Sequence, residues 1–329
     1  MKSHTFVFEI IVIAIISCAP RDQKVKISGE EKDSTYAGPI IDMHIHAFDE
    51  HSSFSQMLGQ EMDLVMTGKT YTASKSMDDL KKETFAKFEE HNIVKAMVSQ
   101  GELWYDFAPE KVIIGNNYLL SIDELKQKHK EGKLHVLGEV APSYQGILPT
   151  DKRMEPYFDL AEDLGIPLAY HMFPGGPPGG AYFMYPKTRA FQGKPLQLEN
   201  ILLSHPKMKF YIMHAGWPYL EDMKALMYAH PQVYVDIGVI DWVLPRKEFH
   251  HFLKGLVDAG FGKRIMFGTD QMIWVESIDD AIAAVNSAGF LSNEQKEDIF
   301  YNNAARFLGL TSEEIATHKM ERDSAHQKR

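Results

Sequence analysis

Six side chains able to bind a divalent cation sit far apart in this chain: His44, His46, Glu139, His171, His214 and Asp270. Each falls at or near the C-terminal end of a short apolar run. His44 and His46 close "IIDMHIH", Glu139 lies in "KLHVLGEV", His171 ends "IPLAYH", His214 lies in "MKFYIMHAG" and Asp270 ends "RIMFGTD". Imidazole nitrogens mixed with carboxylate oxygens are a donor set that suits Zn2+, and Mn2+ or Fe2+ accept similar sets. The chemistry such a set supports is water activation: a divalent ion lowers the pKa of water toward neutrality, and a neighbouring carboxylate takes the proton. In a strand, residues i and i+2 share a face. The HxH spacing therefore points His44 and His46 the same way, inward, with Asp42 one step below and Ile41, Met43 and Ile45 facing outward. Singly, each residue has an ordinary structural explanation, such as a packing histidine or an N-cap aspartate. Their shared position is what argues for a site, because six such groups crowded together without a cation are costly to desolvate.

That shared position has to be created by the fold. Apolar runs occur at 40–46, 93–99, 111–115, 133–140, 166–171, 208–216, 232–238 and 264–270, and helical or long crossover segments separate them. "SIDELKQKHKEG" carries a capping-box signature, with Ser121 as cap and Glu124 at the third helical position. Two further helical segments, "SIDDAIAAVNSAG" and "NEQKEDIFYNNAARFLGL", follow the last run. The rhythm predicts an α/β chain, a closed (β/α)8 TIM barrel whose strand C-termini open on one face. A doubly wound parallel sheet has the same rhythm. The third run is the weakest, and the loop after the first is long.

At these residues the chain resembles a known family. "DMHIH" at 42–46, the histidine of "IPLAYH", "IMHAG" at 212–216 and "FGTD" at 267–270 look like the amidohydrolase superfamily, and within it the amidohydrolase-related branch of decarboxylases and lactone hydrolases. The resemblance covers roughly 38–309 and implies a metal-dependent hydrolase barrel. By it, His44 and His46 bind the more buried metal, His171 is a ligand, His214 binds a second metal or polarises substrate, and Asp270 binds metal and moves the proton. Glu139 departs from the carbamylated lysine of some members and looks like the glutamate of TatD-type nucleases. With one ion, the expected ligands are His44, His46, His171 and Asp270, with Glu139 behind them or touching substrate. With two ions, Glu139 bridges, and His171 and His214 hold the second. Hydrolysis of an amide, ester or lactone is the leading expectation. Non-oxidative decarboxylation, phosphoester hydrolysis on two metals and a non-enzymatic surface binding protein are the alternatives.

The substrate is expected to be a small molecule. The Pro/Gly-rich loop after the fifth run, "MFPGGPPGGAYFMYPKTRAFQGKP", offers Tyr182, Tyr185 and Arg189 as contacts, because Gly and Pro set tight turns close to a ligand. Tyr144 and Gln145 follow Glu139, and Trp217 follows His214. Trp242 and Trp274 are further wall candidates, and Asp49 and His51 lie within reach of the rim. His91, His205, His230, His250 and His251 are assigned no chemistry.

The ends read differently. Residues 1–17 are a basic-then-apolar leader too short to span a bilayer. The lone cysteine, Cys18, follows "IIS" in a pattern that resembles a bacterial lipobox, which implies a lipid anchor on its sulfur and an exported, membrane-anchored protein with a periplasmic or cell-surface face. Residues 18–38 read as a polar tether, 39–310 as the barrel and 311–329 as a polar, frayed tail. One cysteine gives no intramolecular disulfide. A net charge of −10 without a basic stripe argues against nucleic acid as a partner. Barrels of this kind often pair, so a homodimer is the expected assembly, although no interface pattern stands out.

Overall fold

Eight parallel strands follow one another round the sheet in sequence order. They are β1 (Ile40–His46), β2 (Ile93–Ser99), β3 (Val112–Asn116), β4 (Val136–Val140), β5 (Leu168–His171), β6 (Phe210–Met213), β7 (Val233–Asp236) and β8 (Ile265–Met266). The structure is a computed structural model; it describes residues 35–175 and 184–326, with backbone alone from 321 onward. The strands are rich in Val, Ile, Tyr and Phe, which suit a pleated surface buried on both sides. β8 has only two residues in the sheet, but the chain beyond it continues beside β1. Met43 N donates to Phe267 O at 2.9 Å, Asp270 N to His44 O at 2.7 Å and His46 N to Gln271 O at 3.0 Å. These bonds join the last strand to the first and make the sheet a barrel.

Helices separate most of the strands, as the patterning predicts. The Ser121 box is present: Ser121 Oγ accepts from Glu124 N at 3.3 Å, and Glu124 Oε2 accepts from Ser121 N at 2.8 Å. The polar stretch expected to fray is instead helical over Ser312–His326, and Tyr301 Oη lies 2.8 Å from His318 Nδ1. At the other end, part of the expected tether is fixed to the barrel. Tyr36 N donates to Asn286 Oδ1 at 2.9 Å, and its ring stacks on Phe300. The leader and Cys18 lie outside the described residues. Among the described residues, no helix is long and apolar enough to cross a membrane.

Two features of the first βα unit were not foreseen. The long loop contains an antiparallel hairpin, Glu61–Leu64 with Lys69–Thr72, clamped to helix Ser277–Asn286 where Lys69 and Tyr71 both contact Asp280. The second feature is an irregularity in β1 between Asp42 and Ile45, where the register against β2 shifts. It breaks the simple alternation. Ile41 and Met43 pack with Met97, Val136, Ala169, Tyr211 and Met213 from other strands, and with Tyr301, Ala304 and Phe307. Only Ile45 packs with the outer helices as expected, alongside Ile40. A period-2 pattern carries no signal for the extra residue of a bulge.

Candidate metal centre

The barrel brings all six predicted donors together. Asp270 Oδ1 lies 3.2 Å from His44 Nε2 and 3.0 Å from His46 Nε2. Glu139 reaches both sides of the cluster. Its Oε2 is 3.4 Å from His46 Nε2 and 4.0 Å from His44 Nε2, and its Oε1 is 2.5 Å from His171 Nδ1 and 3.5 Å from His214 Nε2. His214 Nε2 and His171 Nδ1 are 3.0 Å apart. Ligands on a tetrahedral ion with bonds of ~2.0–2.2 Å stand ~3.3–3.6 Å apart; the Glu139 spacings to His46 and His214, 3.4 and 3.5 Å, fall in that range, and the others scatter around it from 2.5 to 4.0 Å. His44 Nε2 and His171 Nε2 are buried and make no hydrogen bond. The residues present therefore fit a divalent ion.

The donors divide into overlapping groups whose ligand atoms lie within 4.8 Å of one another: His44, His46 and Glu139; His44, His214 and Asp270; Glu139, His171 and His214. His171 stands with Glu139 and His214 rather than with the β1 pair. This separates it from the ligand set expected for a single ion.

Electrostatics point the same way. Burial opposes charge on His44, yet Asp270, Asp236 and Glu139 outweigh it and raise the imidazole to about 10. A position that holds a proton so firmly is one where the surrounding carboxylates demand positive charge, and a divalent cation satisfies that demand. Burial pushes Asp270 up, but His44, His46 and His214 hold it below the ordinary carboxylate range. Burial likewise raises Glu139, and His171, His214 and His44 bring it well below. Both acids are thus ionised and available as ligands or bases.

Second-layer contacts orient the imidazoles. His214 Nδ1 is 2.9 Å from Gly238 O, which commits that nitrogen as donor and leaves Nε2 facing the cluster. Asp236, fully buried at the end of β7, was not anticipated. Its Oδ1 accepts from His214 N at 3.0 Å and Gly238 N at 2.9 Å, and its Oδ2 stands 3.3 Å from His44 Nδ1. The rule that singled out the other strand-end acids applies equally to "QVYVDIG". Asp42, expected directly below the histidines, instead binds the eighth strand's extension. Its Oδ1 accepts from His44 N and Thr269 N, each at 3.0 Å, and its Oδ2 accepts from Thr269 Oγ1 at 2.8 Å. Glycines make room: a Cβ on Gly268 would come within 3.0 Å of His44 Cβ, and one on Gly238 within 3.0 Å of His44 Nδ1. Behind them Asp241 is buried, with neither carboxylate oxygen hydrogen-bonded.

Above the donors opens a cavity of about 320 Å3. Tyr144 and Gln145 line it, and Tyr185 stacks on Tyr144 at 4.1 Å between ring centres. Trp274 also lines it. Arg189 and Trp217, expected at the substrate, are not on its wall. The Arg189 guanidinium donates to the carbonyls of Pro186 and Thr188, which turns it back onto its own loop. Trp217 Nε1 donates to Glu248 at 3.1 Å, and its ring packs on Phe173. Trp242 is committed to Thr269 O. Tyr182 lies outside the described residues. The wall residues Phe48, Phe54, Met57 and Met62 were missed; they come from the first loop, where apolar residues carry no periodic signal.

The family model for amidohydrolases matches residues 41–310. The chain belongs to the amidohydrolase family. Its structure is similar to that of an uncharacterised TIM-barrel protein from Bordetella bronchiseptica, at 16% identity and a TM-score of 0.60, covering 82% of this chain and 98% of that one. It is similar to a probable 2-pyrone-4,6-dicarboxylic acid hydrolase from Acinetobacter baumannii, at 14% identity, a TM-score of 0.55 and coverage of 82% and 99%. It is also similar to 5-carboxyvanillate decarboxylase from Sphingomonas paucimobilis, at 12% identity, a TM-score of 0.57 and coverage of 83% and 99%. At such identities these likenesses speak for the fold. A curated relative, Protein fluG of Emericella nidulans, is 22% identical over 86 residues, which span 26% of this chain and 10% of that protein.

Proposed function

We propose that this amidohydrolase is a divalent-metal-dependent hydrolase that adds water to an amide, ester or lactone carbonyl of a small organic molecule. The observation that carries the reading is Asp270: an ionised carboxylate within 3.2 Å of both β1 histidines, at the floor of the cavity. When bound, the ion supplies Lewis acidity and a water of near-neutral pKa. His44, His46 and Asp270 would hold one ion, and His171 and His214 a second, with Glu139 offering one oxygen to each side. Asp270 accepts the proton from the attacking water and returns it to the leaving group. Tyr144 stays protonated, because burial and then the charges of Glu139 and Asp270 push its phenol well above its ordinary value. It can therefore donate a hydrogen bond to the substrate. Tyr185 stacks against it and fixes the ring. The aromatic and thioether walls exclude bulk water from the reacting carbonyl.

The test is metal analysis with turnover. Protein saturated with zinc or manganese should contain two ions per chain, hydrolyse a panel of esters and lactones, and lose activity on chelation. Retention of full turnover after complete removal of metal refutes the reading. A non-oxidative decarboxylase is the second reading, supported by the likeness to decarboxylase barrels; carbon dioxide release without water uptake would select it. We also propose, on the sequence of residues 1–18 alone, export and a lipid anchor on Cys18. Loss of membrane association and of a lipid mass increment in Cys18→Ala is the expected result.

A further inference from the structure

The charge around the cavity carries a statement about what enters it. Glu139 and Asp270 form part of its floor, and Asp236 stands directly behind His44. No Lys or Arg is among the described residues lining it. Residues 176–183, between Gly175 and Met184 of the wall, include no charged side chain in the sequence. The nearby cation expected from the sequence, Arg189, donates to the backbone of its own loop. Glu139 and Asp270 are committed to the ion-binding end, so an anionic group on the far part of a ligand would find no Lys or Arg on the described wall to pair with. Burying such a group unpaired is strongly unfavourable.

The walls are mainly aromatic and thioether, with neutral polar side chains from Ser99, Gln100, Asn117 and Gln145 among them. Tyr144 and Tyr185 stand on the β5 side, Tyr144 with its ring 4.7 Å from His171. Phe48 and Phe54 stand on the β1 side, with Phe48 stacked on His46 at 5.6 Å. β1 and β5 are opposite each other in an eight-stranded ring. Met57, Met62, Met184 and Met272 fill much of the remaining wall. Thioethers adapt to flat or irregular apolar surfaces and make favourable contacts with aromatic rings. The volume is at the low end of small-molecule sites, which span ~300–1,000 Å3.

We propose that the substrate is a neutral molecule with an apolar, ring-sized body and no anionic group beside the carbonyl being attacked. This rests on the hydrolytic reading above and narrows it, setting the chain apart from enzymes that act on dicarboxylates. Met62 is the residue through which the preference is exerted on the hairpin side.

The experiment uses zinc-saturated full-length protein and matched probes: phenyl acetate against para-acetoxybenzoate for turnover, and phenylacetone against its para-carboxy derivative for binding by calorimetry. We expect kcat/KM to favour phenyl acetate by at least ~100-fold after background correction, since an unpaired buried charge is rejected by that order. Met62→Arg should narrow the ratio at least tenfold, and Met184→Arg on the other wall serves the same purpose if the first variant does not fold. Equal or faster turnover of para-acetoxybenzoate overturns the inference and leaves hydrolysis standing. No turnover of either ester, with phenylacetone bound at least tenfold tighter than its para-carboxy derivative, removes the hydrolytic reading and supports the neutral-ligand inference. Equal binding of the two ketones, or no binding of phenylacetone, overturns it.

Discussion

Toward the N-terminal ends of the strands, the barrel interior is filled by Ile41, Met43, Met97, Val136, Ala169 and Tyr211 and covered by Tyr301, Ala304 and Phe307. Toward the C-terminal ends, the same strands present His44, His46, Glu139, His171, His214, Asp236 and Asp270. One end removes apolar surface from water and supplies stability. The other concentrates desolvated carboxylates and imidazoles whose mutual arrangement suits a cation. The difference teaches that stability and activity should separate along the barrel axis, and substitutions at either end can test that separation.

The largest effect is expected at the mouth. Asp270→Asn keeps the shape but cannot take a proton, and turnover should fall ~10²–10⁴-fold, with metal content measured in the same preparation. Near-normal turnover would remove Asp270 from its role. At the opposite end, Phe307 packs on Tyr211 and Tyr234. Phe307→Ala should lower stability by ~3–4 kcal/mol in denaturant titrations while kcat of the folded fraction stays within about twofold of the parent. A large loss of kcat there would blur the division between the ends. Next in size, Asp236→Asn removes the carboxylate behind His44 and should weaken metal affinity ~10–100-fold, as for other carboxylates that orient a ligating histidine. Competition with a chelator of known affinity reads this directly.

The smallest effect concerns Asp241, whose carboxyl burial, followed by the charge of Asp42, pushes well above the ordinary value of 3.8. A carboxyl raised in the folded state contributes its stability in the neutral form. That contribution is complete below the ordinary value and is lost as pH climbs through the raised one. Asp241→Asn cannot ionise, so its melting temperature should decline less with rising pH. Above the raised value it should exceed the parent in stability. A parallel decline in both proteins would show that Asp241 is not the group responsible.

Much of this division can be read from the residues in order. The runs at 40–46 and 93–99 coincide with β1 and β2, because continuous apolar stretches bounded by polar segments have few other uses in an α/β chain. The six donors were visible because each interrupts such a run at its end. What stayed hidden depends on three-dimensional detail that no period reports. The irregularity between Asp42 and Ile45 redirects Met43 inward without changing composition. Asp236 was legible by the same strand-end rule; its place behind His44, outside the cavity, is what only the fold supplies. The expected roles of Arg189 and Trp217 assumed that residues near the mouth in sequence point into it, whereas local carbonyls and Glu248 hold them elsewhere.

The Asp280 clamp on the hairpin has an evolutionary consequence. Met62 reaches the cavity from a hairpin that Lys69 and Tyr71 tie to Asp280, on a helix that supplies none of the six donors. Altering Asp280 would loosen that part of the wall without substituting any of the six donors. The lineage thus has a route to new substrate ranges through a surface contact, with the reactive machinery shielded from the experiment.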